Sequence, residues 1–187
     1  MIVTKSRYTG YLPPPLLNIQ RVESLNILGV SVASNLAMTE HINTISSKCS
    51  QLFYGLKILK NHGLSNFDLD VTFRSLVISR ITYASPAWRG FANAADLNKL
   101  NSLLRRGYKW GLTTSLLDLE CLLNKADSVL FNSLLSNSHH VLYPLLPQQR
   151  QLPYSLRPRA HNFVLPRKNN YSSFNFLTRM LYSNIST

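Results

Sequence analysis

Between Thr39 and Gly63 the apolar residues Ile42, Ile45, Cys49, Leu52, Leu56 and Leu59 recur at alternating steps of three and four. That spacing places them on one stripe of an α-helix, and a stripe this long must be buried against a partner surface. Thr39 stands where an N-cap is expected, and His62-Gly63 supplies a glycine stop. Ser65, with Asp68 three residues on, starts a second helix in the manner of a capping box, Asp standing in for Glu. Its expected inner face is Phe73, Leu76, Val77, Ile81 and Ala84, and Ser85-Pro86 ends it, because proline disfavours the helical region for the residue before it. A third helix runs from about Asn93 with Leu97, Leu100, Leu103 and Leu104 inward. Arg105, Arg106 and Lys109 sit at its end, where cations complement the helix dipole, and Gly111 closes it. Short connections between three such helices predict a compact bundle.

The flanks read differently. Met1–Lys5 is β-branched and strand-like, and Gly10-Tyr11-Leu12-Pro13-Pro14-Pro15 is a turn or extended connector. Arg21–Leu25 and Asn26–Val32 read as two short strands, the second with Leu28, Val30 and Val32 on one face and Ile27, Gly29 and Ser31 on the other. Two or three short strands are marginal alone, so further members of the sheet are expected from elsewhere. Leu116 to Ser136 is leucine-rich and reads as two short helices. From Asn137 the periodicity fails, and Pro144, Pro147, Pro153, Pro158 and Pro166 punctuate what reads as an extended tail lying over another surface. The expected fold is therefore mainly α: a small β-hairpin over 1–36, a three-helix bundle over 39–112, short helices over 113–137 and an extended, basic, Pro-rich tail over 138–187.

Charge narrows the function. The chain carries 20 Lys and Arg against 8 Asp and Glu, a net charge of +12, although only 15% of its residues are charged. Against a usual ~25% charged, the shortfall is one of acids. None follows Asp127, whereas Arg150, Arg157, Arg159, Arg167, Lys168 and Arg179 do. An unneutralised basic surface favours a polyanion, and nucleic acid is the commonest; basicity for solubility or address is the plain alternative. Cys49 and Cys121 define no disulfide framework, which suits a reducing compartment. The first residues lack the apolar core of a signal peptide, and no apolar run approaches the ~18 residues that span a bilayer. The expectation is a soluble intracellular protein, nuclear or cytoplasmic, without a membrane partner.

Several phrases, taken in order, resemble the C-terminal part of non-LTR (LINE-type) retrotransposon reverse transcriptases, particularly the jockey-like and chicken-repeat-like groups. They are Leu25-Asn26-Ile27-Leu28-Gly29-Val30 with His41-Ile42 following, the stretch Leu56–Leu64, and Tyr83-Ala84-Ser85-Pro86-Ala87-Trp88 with Gly90-Phe91 and Asp96. Leu104-Arg105-Arg106 matches a basic third helix. Ala126-Asp127 with Leu130-Phe131, then His140–Pro147, Tyr154–His161 and Asn175–Tyr182 resemble the family's terminus, and Met1–Lys5 is similar to the stretch after the polymerase active site. The resemblance implies that 1–36 is a palm remnant whose Leu28, Gly29 and Val30 form a primer-grip-like hairpin. It implies that 39–112 is a thumb-like bundle holding template–primer duplex by its backbone, with little sequence preference.

Polymerisation in that family needs metal ions held by carboxylates, including an Asp-Asp pair. No Asp-Asp occurs here. Asp68 and Asp70, two apart in a predicted helix, point to different faces and read as partners of the helix N-terminus. No catalytic or metal-binding residues and no cofactor are expected, and the resemblance places the cut just beyond the catalytic carboxylates. His139-His140 is an adjacent pair without neighbouring ligands, and a packed loop histidine is the plainer reading. Cys49 faces its helix stripe and reads as core.

Among the bases, Arg105, Arg106 and Lys109 are the expected nucleic-acid contacts, with Arg157 and Arg159 in the tail, where an extended chain can track a phosphate backbone. Lys48, Lys57 and Lys60 flank the first helix and are open between phosphate contact and a solvated face. Trp88, Tyr108 and Trp110 are open between base stacking and core. The expected activity is salt-sensitive binding of RNA or RNA–DNA duplex, with the palm and fingers portion of a polymerase as a further partner. A helical protein-interaction module, or a retrotransposon remnant without selected function, are the competing readings.

Overall fold

Leu28 and Gly29 both take positive φ, 49° and 85°. Positive φ at both central residues is the signature of a two-residue type I′ hairpin turn. The computed structural model, which describes residues 20–149, 161–167 and 174–183, accordingly has two antiparallel strands here, β1 (Ser24–Ile27) and β2 (Val30–Ala33). Their register pairs Leu25 with Val32 and Ile27 with Val30. The strand expected over Asn26–Val32 is thus broken by a turn, which Asn26 stabilises by accepting the Gly29 N–H at 2.9 Å. Directly paired residues share a face, so Ile27 lies with Val30, and Leu28 leaves the sheet for the hairpin tip. Met1–Lys5, Gly10–Pro15, Arg157 and Arg159 lie outside the described residues.

The chain divides into two compact units, neither continuous in sequence. One takes the described residues up to Ala84 together with Phe91–Leu119; the other takes Ser85–Gly90 with the described residues from Glu120 onward.

In the first unit α1 (Thr39–Asn61) packs against β2, α2 (Asn66–Phe73) and α5 (Ala94–Lys109). Its buried stripe is His41, Ile42, Ile45, Cys49, Phe53 and Leu56. Phe53 replaces the expected Leu52, and Leu59 is exposed. Thr39 is not the cap: Met38 holds that position without a side-chain cap, and the Thr39 hydroxyl instead donates to Asp96 Oδ2 at 3.0 Å. Gly63, at φ 88°, ends the helix as expected.

Ser65 caps α2, accepting the Asp68 N–H at 3.1 Å, while its hydroxyl donates to the Asp68 carboxylate at 2.6 Å. The second helix is then interrupted. A π-helical turn, Arg74–Ile78, separates α2 from α3 (Ser79–Thr82), with the Ser79 N–H bonding five residues back to Arg74 O. The wider turn shifts the buried face to Leu69, Phe73, Val77, Ile78 and Ile81, which is why Leu76 is exposed against expectation. Ala84, at φ 50°, turns the chain just before Ser85-Pro86.

Helix α5 opens on a full capping box: Asn93 accepts the Asp96 N–H at 2.8 Å and Asp96 accepts the Asn93 N–H at 3.4 Å. Leu100, Leu103 and Leu104 are buried on its inner side. Gly107 permits the approach of α5, because a Cβ there would lie 2.7 Å from the Phe73 ring. Phe53 and Phe73 meet at 5.7 Å between ring centroids. Each fully buried ring contributes about 2–3 kcal/mol relative to exposure.

In the second unit, Ser85–Trp88 forms one short helical turn, α4, with Trp88 fully buried. The residues expected as two short helices form one 18-residue helix, α6 (Leu119–Ser136). The region expected to be an extended tail is helical in part, whereas 161–167 carries no helix and Phe163 makes an isolated antiparallel bridge with Gln149. Its helical parts are the helix α7 (Phe176–Ser183) and a 3-10 turn at Tyr143–Leu145. Phe131 and Leu134 of α6 form a core with Met180 and Leu181 of α7, joined by Leu142, Tyr143, Phe163 and Leu165. The leucines and aromatics between the prolines supply a hydrophobic cluster without helical periodicity, so the periodicity signal missed them. No helix among the described residues is long and apolar enough to cross a membrane.

Candidate nucleic-acid interface

The tip of the hairpin is unusual twice over. Leu28 is 86% exposed and carries a positive φ, which costs a residue with a Cβ roughly 1–2 kcal/mol. Leu28 is therefore both exposed and strained, and strained positions of this kind cluster at functional sites. Tyr83, at the end of α3, anchors the tip by donating its phenolic proton to Leu28 O at 3.0 Å.

Beneath the tip a cleft of about 430 Å³ opens between the hairpin, α1 and the π-helical segment. Gly29 forms its rim, with the Tyr83 ring 3.6 Å from where a Cβ would sit. From α1 come Thr44, Lys48 and the buried His41; from the other wall come Ser75, Ser79 and Arg80. Burial lowers the His41 pKa from its ordinary value, and its Nδ1 accepts the Ser31 N–H at 3.4 Å. The cleft's charge is therefore that of Lys48 and Arg80. Neither has an ion-pair partner among the described residues, and no carboxylate is among the described residues that line the cleft. A π-helical turn in its wall fits the frequent placement of such turns at functional sites.

The basic end of α5 splits. Arg105 and Lys109, one turn apart, are exposed. Arg106 folds inward instead: Nη2 donates to Ser50 Oγ at 2.7 Å, and its guanidinium lies 5.2 Å from the Phe53 ring centre and 5.4 Å from that of Trp110. Lys57 stands 3.5 Å over the Trp110 ring, and Lys60 donates to Trp110 O at 2.9 Å. Trp110 is thus already covered by cations, whereas Tyr108 is 49% exposed. Trp88, being buried, presents no face for stacking. Arg105 borders a smaller depression of about 160 Å³ that also contains Asp118, so it is less suited to an anion than the cleft beside Gly29. Of the residues expected at a site, only Gly29 lines this cleft; Leu28 projects from the tip and Val30 is buried, while Arg105 and Lys109 form a separate exposed pair. His140 is occupied locally, its Nδ1 accepting the Leu142 N–H at 3.1 Å.

No known family model matches the chain, and neither the curated proteins nor the solved structures compared with it contain a match.

Lys48 and Arg80 as a pair escaped the sequence reading. They lie in different helices, and only the fold brings both to one cleft.

Proposed function

We propose that this chain is the post-catalytic part of a non-LTR retrotransposon reverse transcriptase, an RNA-directed DNA polymerase. In this reading it holds RNA or RNA–DNA duplex through the backbone and does not polymerise by itself. The observation that carries it is the cleft at Gly29: the family-like Leu-Gly-Val phrase forms a hairpin tip, and the tip overhangs a cleft whose charged residues, among those described, are Lys48 and Arg80. The acids support the non-catalytic half. Four of the eight acids are committed: the Asp68 carboxylate accepts from the Ser65 hydroxyl, Asp96 from the Thr39 hydroxyl and the Asn93 N–H, Asp70 from Arg74 and Thr113, and Asp127 from Arg89 and Arg179. Carboxylates committed in this way are poor candidates for a shared metal site.

A labelled RNA–DNA hybrid read by fluorescence anisotropy tests the proposal. Arg105→Glu with Lys109→Glu, on exposed positions, is expected to weaken binding by tenfold or more, since each reversal replaces a phosphate contact with repulsion. Unchanged affinity in a folded double variant would count against the reading. A second reading has one observation in its favour. Leu25 and Ile27 on the paired face of the hairpin are 43% and 49% exposed, which suits a protein partner, the palm portion of a polymerase included.

A further inference from the structure

The hydroxyl groups around the Gly29 cleft have a common orientation of their protons. Thr44 donates to Glu40 O at 3.1 Å, Ser75 to Val71 O at 2.8 Å, and Tyr83 to Leu28 O at 3.0 Å. Ser79 donates to Ser75 O. Each hydroxyl has one proton to give and two lone pairs to receive. With the protons directed into the backbone, the hydroxyl oxygens offer the cleft acceptors, while Lys48 and Arg80 offer it donors. A backbone phosphodiester, which only accepts, matches the cations and finds nothing to bond at the hydroxyls. A ribose phosphate matches both, because its 2′-hydroxyl donates as well as accepts. The volume of about 430 Å³ lies in the range of sites that hold small organic ligands, roughly 300–1,000 Å³.

We infer that the cleft beside Gly29 is a ribonucleotide subsite. It seats one phosphate–ribose unit of an RNA strand, Lys48 and Arg80 holding the phosphate and the Ser75 or Ser79 hydroxyl oxygen accepting the proton of the 2′-hydroxyl. The inference rests on the nucleic-acid reading above and adds to it a preference for RNA that backbone charge alone does not supply. Arg80 and Lys48 are exposed, so exchanging them leaves the core untouched.

The test uses three single strands of one base sequence, RNA, 2′-O-methyl RNA and DNA, with the whole chain and its variants. RNA is expected to bind about threefold or more tighter than the other two, the worth of one neutral hydrogen bond. Ser75→Ala with Ser79→Ala is expected to erase that difference and leave DNA affinity unchanged. Lys48→Gln with Arg80→Gln is expected to weaken all three strands and to lower the salt slope by about one to two. Equal affinity of the unaltered protein for RNA, 2′-O-methyl RNA and DNA would overturn the subsite while leaving backbone binding standing. So would undiminished RNA binding by Lys48→Gln/Arg80→Gln. Failure to bind any of the three overturns the subsite, and failure to bind the RNA–DNA hybrid as well overturns the nucleic-acid reading itself.

Discussion

Tyr83 donates its phenolic proton to Leu28 O, 3.0 Å away and 55 residues earlier in the chain. This bond fastens the strained hairpin tip to the end of α3, on the rim of the cationic cleft. It is exposed, so its contribution to stability is at the low end, about 0.5–1 kcal/mol. Tyr83→Phe is expected to lower the urea midpoint slightly and to speed amide exchange at Gly29. Leu28→Asn is expected to act oppositely on stability, gaining about 1 kcal/mol, because asparagine tolerates positive φ where leucine does not. Denaturant unfolding of the two variants checks the opposite signs.

In the second unit Asp127 is the anchor for two arginines. Arg89 Nη1 lies 3.0 Å from Oδ2, and Arg179 Nη2 lies 3.2 Å and 3.0 Å from the two carboxylate oxygens. The Asp127 side chain is 2% exposed. Asp127→Asn leaves two partly buried guanidinium groups without a counter-charge, and a loss of about 3–5 kcal/mol is expected in urea titrations. Arg89→Met, which leaves Arg179 in place, is expected to cost less than half as much. Equal losses from the two variants would show that the second arginine does not compensate.

These two relationships mark where the sequence was readable and where it was not. The starts at Ser65 and Asn93 and the stops at Gly63 and Gly111 were legible, because each acts on near neighbours, whereas the cap expected at Thr39 failed because its hydroxyl turns to Asp96, 57 residues away. The α1 stripe was legible through the same short-range spacing, apart from Phe53, which displaces Leu52 to meet Phe73, and Leu59, which is exposed. The turn at Leu28-Gly29 was hidden from the strand pattern, since leucine at positive φ is not a turn signal, although the family resemblance implied a hairpin there. The π-helical turn was hidden because it leaves the apolar composition unchanged and alters only the register, moving Leu76 outward. Arg179 meets Asp127 across 52 residues, and no local pattern carries that separation. The fold of the tail was missed because its core is a cluster of leucines and aromatics between prolines, without a period.

Asp70 couples the first unit to pH. Burial acts to raise its pKa, but hydrogen bonds from Arg74, Thr113 and the Thr114 amide, with the Arg74 charge, outweigh burial and hold it well below the usual carboxylate range. The folded state therefore prefers the ionised form more strongly than the unfolded chain does, whose pKa is ~3.9. Its stabilisation is complete above that value and is lost as pH falls below it towards the lower folded pKa. Asp70→Asn is expected to be less stable at neutral pH and to lose less stability than the parent between about pH 5 and 2. Parallel pH–stability curves for the two proteins would contradict this assignment.

The two cysteines are expected to differ in reactivity. Burial pushes the Cys49 thiol up to about 11, against a smaller opposing influence of Arg80 and Arg106. Cys121 is exposed. The thiolate is the reactive form, so a thiol reagent at neutral pH should label one site per native chain, at Cys121, and two in denaturant. Rapid labelling of both in the native protein would show that the α1 core is open.

The central claim is that this chain grips nucleic acid by its backbone, and the salt dependence of binding tests it most directly. With Lys48, Arg80, Arg105 and Lys109 each meeting one phosphate, the affinity for an RNA–DNA hybrid is expected to fall with a log–log slope of about −3 to −4 in salt concentration. A flat dependence, or no binding at low salt, would contradict the account.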